Sequence, residues 1–102
     1  MRRGSTPTNV FTVPMDLHNA TVYIDYEQNG QIVLEKTNDD MTFDSDPYTI
    51  TIELSQEDTL KFKPGTVCVQ IRYVFANGDA DASNIIKTTF ERIIKDGVIT
   101  HV

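Results

Sequence analysis

Apolar and polar residues alternate with a period of two along most of this chain. The cleanest run is residues 20–28, where Val22, Ile24 and Tyr26 fall on one face and Tyr23, Asp25 and Glu27 on the other. Successive side chains of a β-strand point to opposite faces, so the run predicts a half-buried strand. Asn29-Gly30 comes next, and both residues tolerate the positive φ of a type I′ turn. Residues 31–37 then form the return strand of a hairpin, with Ile32 and Leu34 alternating against Val33 and Glu35. Residues 48–54 repeat the pattern, placing Ile50, Ile52 and Leu54 inward and Thr49, Thr51 and Glu53 outward. The longest run is 66–76. Val67, Val69, Ile71, Tyr73 and Phe75 share one face, and Cys68, Gln70, Arg72 and Val74 share the other.

Shorter strands fill the gaps. Residues 9–13 are stopped by Pro14, and residues 41–44 end before Asp46-Pro47. Asn38-Asp39-Asp40 and Asn77-Gly78-Asp79 read as turns. Residues 82–94 read as a long final strand, with a bulge expected near Ile85-Ile86 or Ile93-Ile94, where apolar doublets blur the register. After Asp96-Gly97, residues 98–100 are expected as an edge strand or a tail. One segment, residues 55–62, changes period. It opens with Ser55-Gln56-Glu57-Asp58, which has the form of a capping box, and Pro64-Gly65 closes it. It predicts one helical turn crossing the end of the core, with Leu60 as its plug.

Seven strands joined mostly by short turns predict an all-β fold. The architecture expected is an antiparallel, immunoglobulin-like two-sheet sandwich, with a closed barrel as the alternative. The chain has one cysteine and no tryptophan, so the Cys–Trp–Cys core of antibody domains is absent. Residues 1–8 form a polar arm, expected to be free or held by a partner. Residues 9–99 form the single domain, and residues 100–102 a tail. A chain of 102 residues fits one domain.

Charge narrows the function classes. The net charge is −6. Eleven acidic residues lie between Asp16 and Asp58, against Lys36 alone. Such a surface repels phosphate backbones, so nucleic acid is not an expected partner. No run approaches the ~20 apolar residues of a membrane helix. The opening Met1-Arg2-Arg3-Gly4-Ser5-Thr6 has no apolar segment behind it and does not read as a secretory leader. A lone Cys68 points to synthesis and folding in a reducing cytoplasm, which is compatible with later release in a particle.

Residues able to support catalysis are sparse. His18 lies in a loop, His101 is second from the end, and Cys68 is mid-strand, where a cysteine is usually a small packed residue. The carboxylates fall in turns and on polar strand faces, without the fixed pairing that glycoside hydrolysis needs. Asp44 with Asp46 and Asp79 with Asp81 could serve calcium, but Asx turns explain both pairs and neither fits an EF-hand. Zinc spacings and glycine-rich phosphate loops are missing. The expectation is therefore no enzyme, no cofactor and no metal. Binding remains, with Tyr23, Tyr48, Arg2, Arg3, Arg72 and Arg92 as candidate contact residues.

Three segments also carry a resemblance. They are the opening Met1-Arg2-Arg3-Gly4-Ser5-Thr6-Pro7-Thr8, the stretch from Leu54 to Phe62, and the stretch from Ala82 to Ile99. The chain resembles small prophage-encoded proteins of Gram-positive phages that come from virion or tail gene regions. More distantly it is similar to the N-terminal immunoglobulin-like domain of phage baseplate upper proteins. The resemblance implies a non-enzymatic module of the tail or baseplate, associating with other phage proteins or with itself as a homo-oligomer. The alternative is an accessory protein that binds a host defence protein or sequesters a small nucleotide. That reading requires basic groups converging on a pocket, drawn from Arg2, Arg3, Arg72, Lys87 or Arg92.

Overall fold

The cleanest alternating stretch forms β2 (Thr21–Gln28), and β3 (Gln31–Thr37) returns beside it in the computed structural model, which describes residues 1–101. Asn29 and Gly30 turn the chain with φ of 55° and 79°, the left-handed values that an Asn-Gly turn supplies at low cost. On its other side β2 pairs antiparallel with β6 (Gly65–Val74), the longest strand. β7 (Ala80–Ala82) and β8 (Ile86–Phe90) both pair with β6 and complete a five-stranded sheet. A second sheet has the order β1-β5-β4, built from β1 (Thr8–Thr12), β4 (Thr42–Asp44) and β5 (Thr49–Glu53).

The first, fourth and fifth strands thus make one sheet, and the second, third and sixth, with the last, make the other. This is the B-E-D and C′-C-F-G arrangement of an immunoglobulin-like sandwich. Two separate ladders replace the barrel alternative.

The predicted final strand is interrupted. β7 and β8 flank residues 83–85, which lie outside both strands, so the described residues form eight strand segments instead of seven. Ser83 explains the break. Its hydroxyl accepts from the Ile71 N–H at 3.0 Å, so a side chain takes a ladder position on β6 and the chain bulges past it. The ladder also stops at Phe90, short of Ile94, because the N-terminal arm takes up the next backbone groups. Glu91 N–H donates to Met1 C=O at 2.8 Å, Arg3 N–H donates to Glu91 C=O at 3.2 Å, and Arg2 bridges Glu91 in parallel. The arm is held by its own chain. Residues 98–100 form no strand; Gln56 clasps the Ile99 backbone by its N–H and its C=O.

The inward faces of the two sheets meet in one core, where Val22, Ile24, Tyr26, Ile50, Ile52 and Val67 are fully buried. Each such side chain contributes roughly 1.5–3 kcal/mol by leaving water. The helical turn is α1 (Gln56–Leu60). Ser55 caps it through its hydroxyl, and the Asp58 carboxylate accepts the Ser55 N–H at 3.0 Å. Its plug differs from the expectation. Leu60 is half-buried beside Gly4, whereas Phe62 is buried, edge-on to Tyr26 at 6.0 Å and stacked on Phe90 at 4.4 Å. A five-residue helix points its last residue toward the arm, and the chain must run two residues further to face the core.

Polar side chains brace the loops around this core. Asn38 accepts from Val22 N–H and donates to Ala20 C=O, both at 2.8 Å. Gln28, though buried, clasps the Lys63 backbone by its C=O and N–H. Buried amides survive there because their hydrogen bonds are made.

Candidate functional site

The outward face of the five-stranded sheet carries the chain's densest chemistry. Its floor is set by strand register. Asp25 on β2 lies opposite Glu35 of β3 on one side and Gln70 of β6 on the other. Tyr23 lies opposite Arg72, and Arg72 lies opposite Ala82 of β7. Side chains paired across strands stand about 4.5–5.5 Å apart at Cβ, so these groups converge. Ala80 is short and leaves space beside Val74. The result is an open pocket of about 280 Å³, lined by Thr21, Tyr23, Asp25, Glu35, Arg72, Tyr73, Val74 and Ala80.

A β-bulge builds this arrangement. Counting back from the Asn29-Gly30 turn, Gln28 pairs with Gln31 and Glu27 with Ile32. The register then slips between Tyr26 and Glu27, so that Tyr26 pairs with Leu34 and Asp25 with Glu35. One extra residue, Val33, is absorbed. The bulge corrects the expectation that Ile32 and Leu34 share a face. Leu34 is buried, whereas Ile32 joins Glu27 on the outer face and is 61% exposed. Ile32 and the equally exposed Ile85 flank a smaller depression that also touches Asp25, Cys68 and Gln70.

Electrostatics single out the carboxyl pair. Burial, together with a hydrogen bond to Glu35 and its negative charge, pushes the Asp25 carboxyl up to about 6, while Arg72 opposes the shift. A hydrogen bond between two carboxyls needs a proton on one of them, and the Glu35 charge beside Asp25 favours holding it on Asp25. Asp25 Oδ1 is buried and accepts no hydrogen bond from a donor among the described residues. The Arg72 guanidinium forms no ion pair among the described residues. The face therefore holds a carboxyl pair with one unsatisfied oxygen, a cation without an ion pair and an exposed tyrosine within one pocket.

On this face the structure brings together two of the six contact residues expected from sequence, Tyr23 and Arg72. Tyr48 is exposed in the turn before β5, in the other sheet, where its C=O accepts from Val13 N–H. Arg2 pairs with Glu91 at 3.0 Å on the arm. Arg3 is largely buried and serves its own chain, donating to the Phe62 and Leu60 carbonyls and pairing with Asp96 at 3.2 Å. Arg92 is exposed just beyond β8. The basic residues named for nucleotide capture do not converge. Arg2 and Arg3 share a surface with Lys95, Arg72 lies on the outer face, and Lys87 borders the gap between the sheets. The Asp79 carboxylate accepts from the Asn77 amide, and Asp81 caps the Ala82 N–H. No three metal-ligating side chains cluster among the described residues, and no helix there is long and apolar enough to cross a membrane.

No protein-family profile and no curated protein matches the chain. Among solved structures, the V domain of amphioxus IgVJ-C2 is similar with a TM-score of 0.38 and 13% identity, over 91% of this chain and 97% of that one. The fold assignment rests on the strand order and register described above.

Proposed function

We propose that this chain is a non-enzymatic protein-binding module whose contact surface is the outer face of β3, β2, β6 and β7. Immunoglobulin-like sandwiches commonly mediate protein–protein contact, and the site must then be argued from its own chemistry. One observation carries the reading: a carboxyl pair with a buried, unsatisfied oxygen sits beside an unpaired guanidinium and an exposed tyrosine. An unmade hydrogen bond at a buried acceptor costs about 1–3 kcal/mol, which a donor from a partner recovers. The partner that fits presents an arginine or lysine to Asp25 and Glu35. Arg72 is then free to take an acidic or carbonyl group, and Tyr23 and Val74 supply apolar area.

The sequence resemblance supports a virion setting, with the partner another tail or baseplate protein. The scatter of basic residues over three surfaces supports this reading over nucleotide capture. A photo-cross-linking residue placed at Val74 tests the surface, with Thr42 on β4 as control. A discrete protein adduct is expected from Val74 and not from Thr42, and it disappears when Asp25→Asn and Glu35→Gln are combined. Equal adducts from both positions, or adducts indifferent to the double substitution, would rule out this face. Mass spectrometry of purified particles tests the setting, and absence of the chain there would remove it.

A further inference from the structure

A sandwich has sheet edges, and an edge strand left open invites pairing with another chain. Three edges here carry protection. β4 is only three residues long and ends in Asp44. β3 contains Glu35 and Lys36 and is distorted by the bulge. The β7–β8 edge is interrupted and carries Asp81 and Lys87. β1 has none of these devices. From Thr8 to Val13 it is uncharged, regular and free of proline.

The ladder shows which groups β1 leaves open. Leu54 N–H donates to Pro7 C=O, and Val13 N–H donates to Tyr48 C=O. Hydrogen-bonded pairs alternate along an antiparallel ladder, so Asn9 and Phe11 also turn their backbone groups toward β5. Thr8, Val10 and Thr12 therefore point theirs away from the sheet. Val10 is 59% exposed. Beneath the edge, between the sheets, lies a groove of about 430 Å³ walled by Phe11, Val13, Ile71, Tyr73 and Ile86. The Asn9 Nδ2 group, also on this wall, is buried without an acceptor among the described residues.

We propose that β1 pairs with β1 of a second copy, antiparallel about a two-fold axis through Val10. Charge decides the occupant. A dyad sets like residues against like, and on a chain of net charge −6 a charged edge would meet its own sign. β1 meets itself without that penalty. Centred on Val10, Thr8 faces Thr12 of the second copy and Val10 faces Val10. All three residues that point outward from β1 then gain ladder partners. The inward side chains of the added strand lie over the mouth of the groove. Five residues per strand make a small interface, so the dimer is weak and concentration-dependent.

Sedimentation velocity over a concentration series tests this, on the wild type, Val10→Pro and Val10→Lys. The Val10 N–H faces solvent in the monomer, so proline there leaves the β1–β5 ladder intact. A second variant, Val10→Lys, keeps the backbone donor but sets two cations against each other. The wild type is expected to dimerise reversibly, and both variants are expected to weaken the dimer at least about tenfold. Arg72→Ala is expected to leave it unchanged, which separates this edge from the outer-face site. A wild type that stays monomeric overturns the proposal. So does a dimer indifferent to both Val10 variants. A monomer that instead binds an uncharged extended peptide at β1 assigns the edge to a foreign strand and likewise overturns it.

Discussion

Asp25 works against the fold at neutral pH. Its carboxyl titrates at about 6 in the folded chain, above its ordinary value of 3.8, so the folded state holds the proton more tightly. The stability linked to that proton is complete below 3.8 and is lost as the pH rises through about 6. Asp25→Asn is therefore expected to raise stability at pH 7.5 by up to about 1 kcal/mol, the scale of one cross-strand pair, and to change little at pH 4. Urea unfolding at the two pH values checks both sign and window. Tyr26 poses a parallel question inside the core. Burial, then the nearby Asp58 carboxylate, pushes its phenol up, and its hydroxyl finds no partner among the described residues. Tyr26→Phe removes a desolvated group without removing the ring that meets Phe62, so stability is expected to hold or rise by up to about 1 kcal/mol. A loss larger than that in the same assay would show that the hydroxyl is satisfied.

The elements differ in how openly the sequence announces them. β2, β5 and β6 alternate cleanly, and each lies close to its predicted span, because burial on one face forces a period of two. Asn29-Gly30 specifies its turn for the same local reason. The bulge at Tyr26 and Glu27 has no such signal. Apolar Ile32 and Leu34 suggest an unbroken strand, and nothing local marks Val33 as the extra residue. The site is hidden with it, since only the shifted register sets Glu35 against Asp25. Docking of the arm depends on contacts distant in sequence, above all Arg3 reaching the Phe62 and Leu60 carbonyls. Arg3→Met keeps the apolar stem and removes those bonds. It is expected to cost about 1–3 kcal/mol and to speed amide exchange at Glu91, whose N–H is held by Met1. Unchanged exchange there would mean that the arm is held without Arg3.

At the scale of the whole molecule, charge and hydrogen-bonding capacity are unevenly left over. The core closes with its apolar side chains buried, while two surfaces remain unfinished: the outer sheet face around Asp25 and the bare edge of β1. They lie on different sheets, so one chain can pair with a copy of itself and still present a site to a different partner. The central claim is that the outer face recognises a cationic group, and nuclear magnetic resonance reads it most directly. Amide shifts of the labelled chain would be followed during titration with N-acetylarginine amide at pH 7.5 and pH 5. Saturable shifts confined to the strands around Tyr23, Asp25, Glu35 and Arg72 are expected at pH 7.5. They should weaken at pH 5, where Asp25 holds its proton, and vanish when Asp25→Asn and Glu35→Gln are combined. Shifts spread over the whole acidic stretch from Asp16 to Asp58, or unmoved by pH and by the double substitution, would contradict the account.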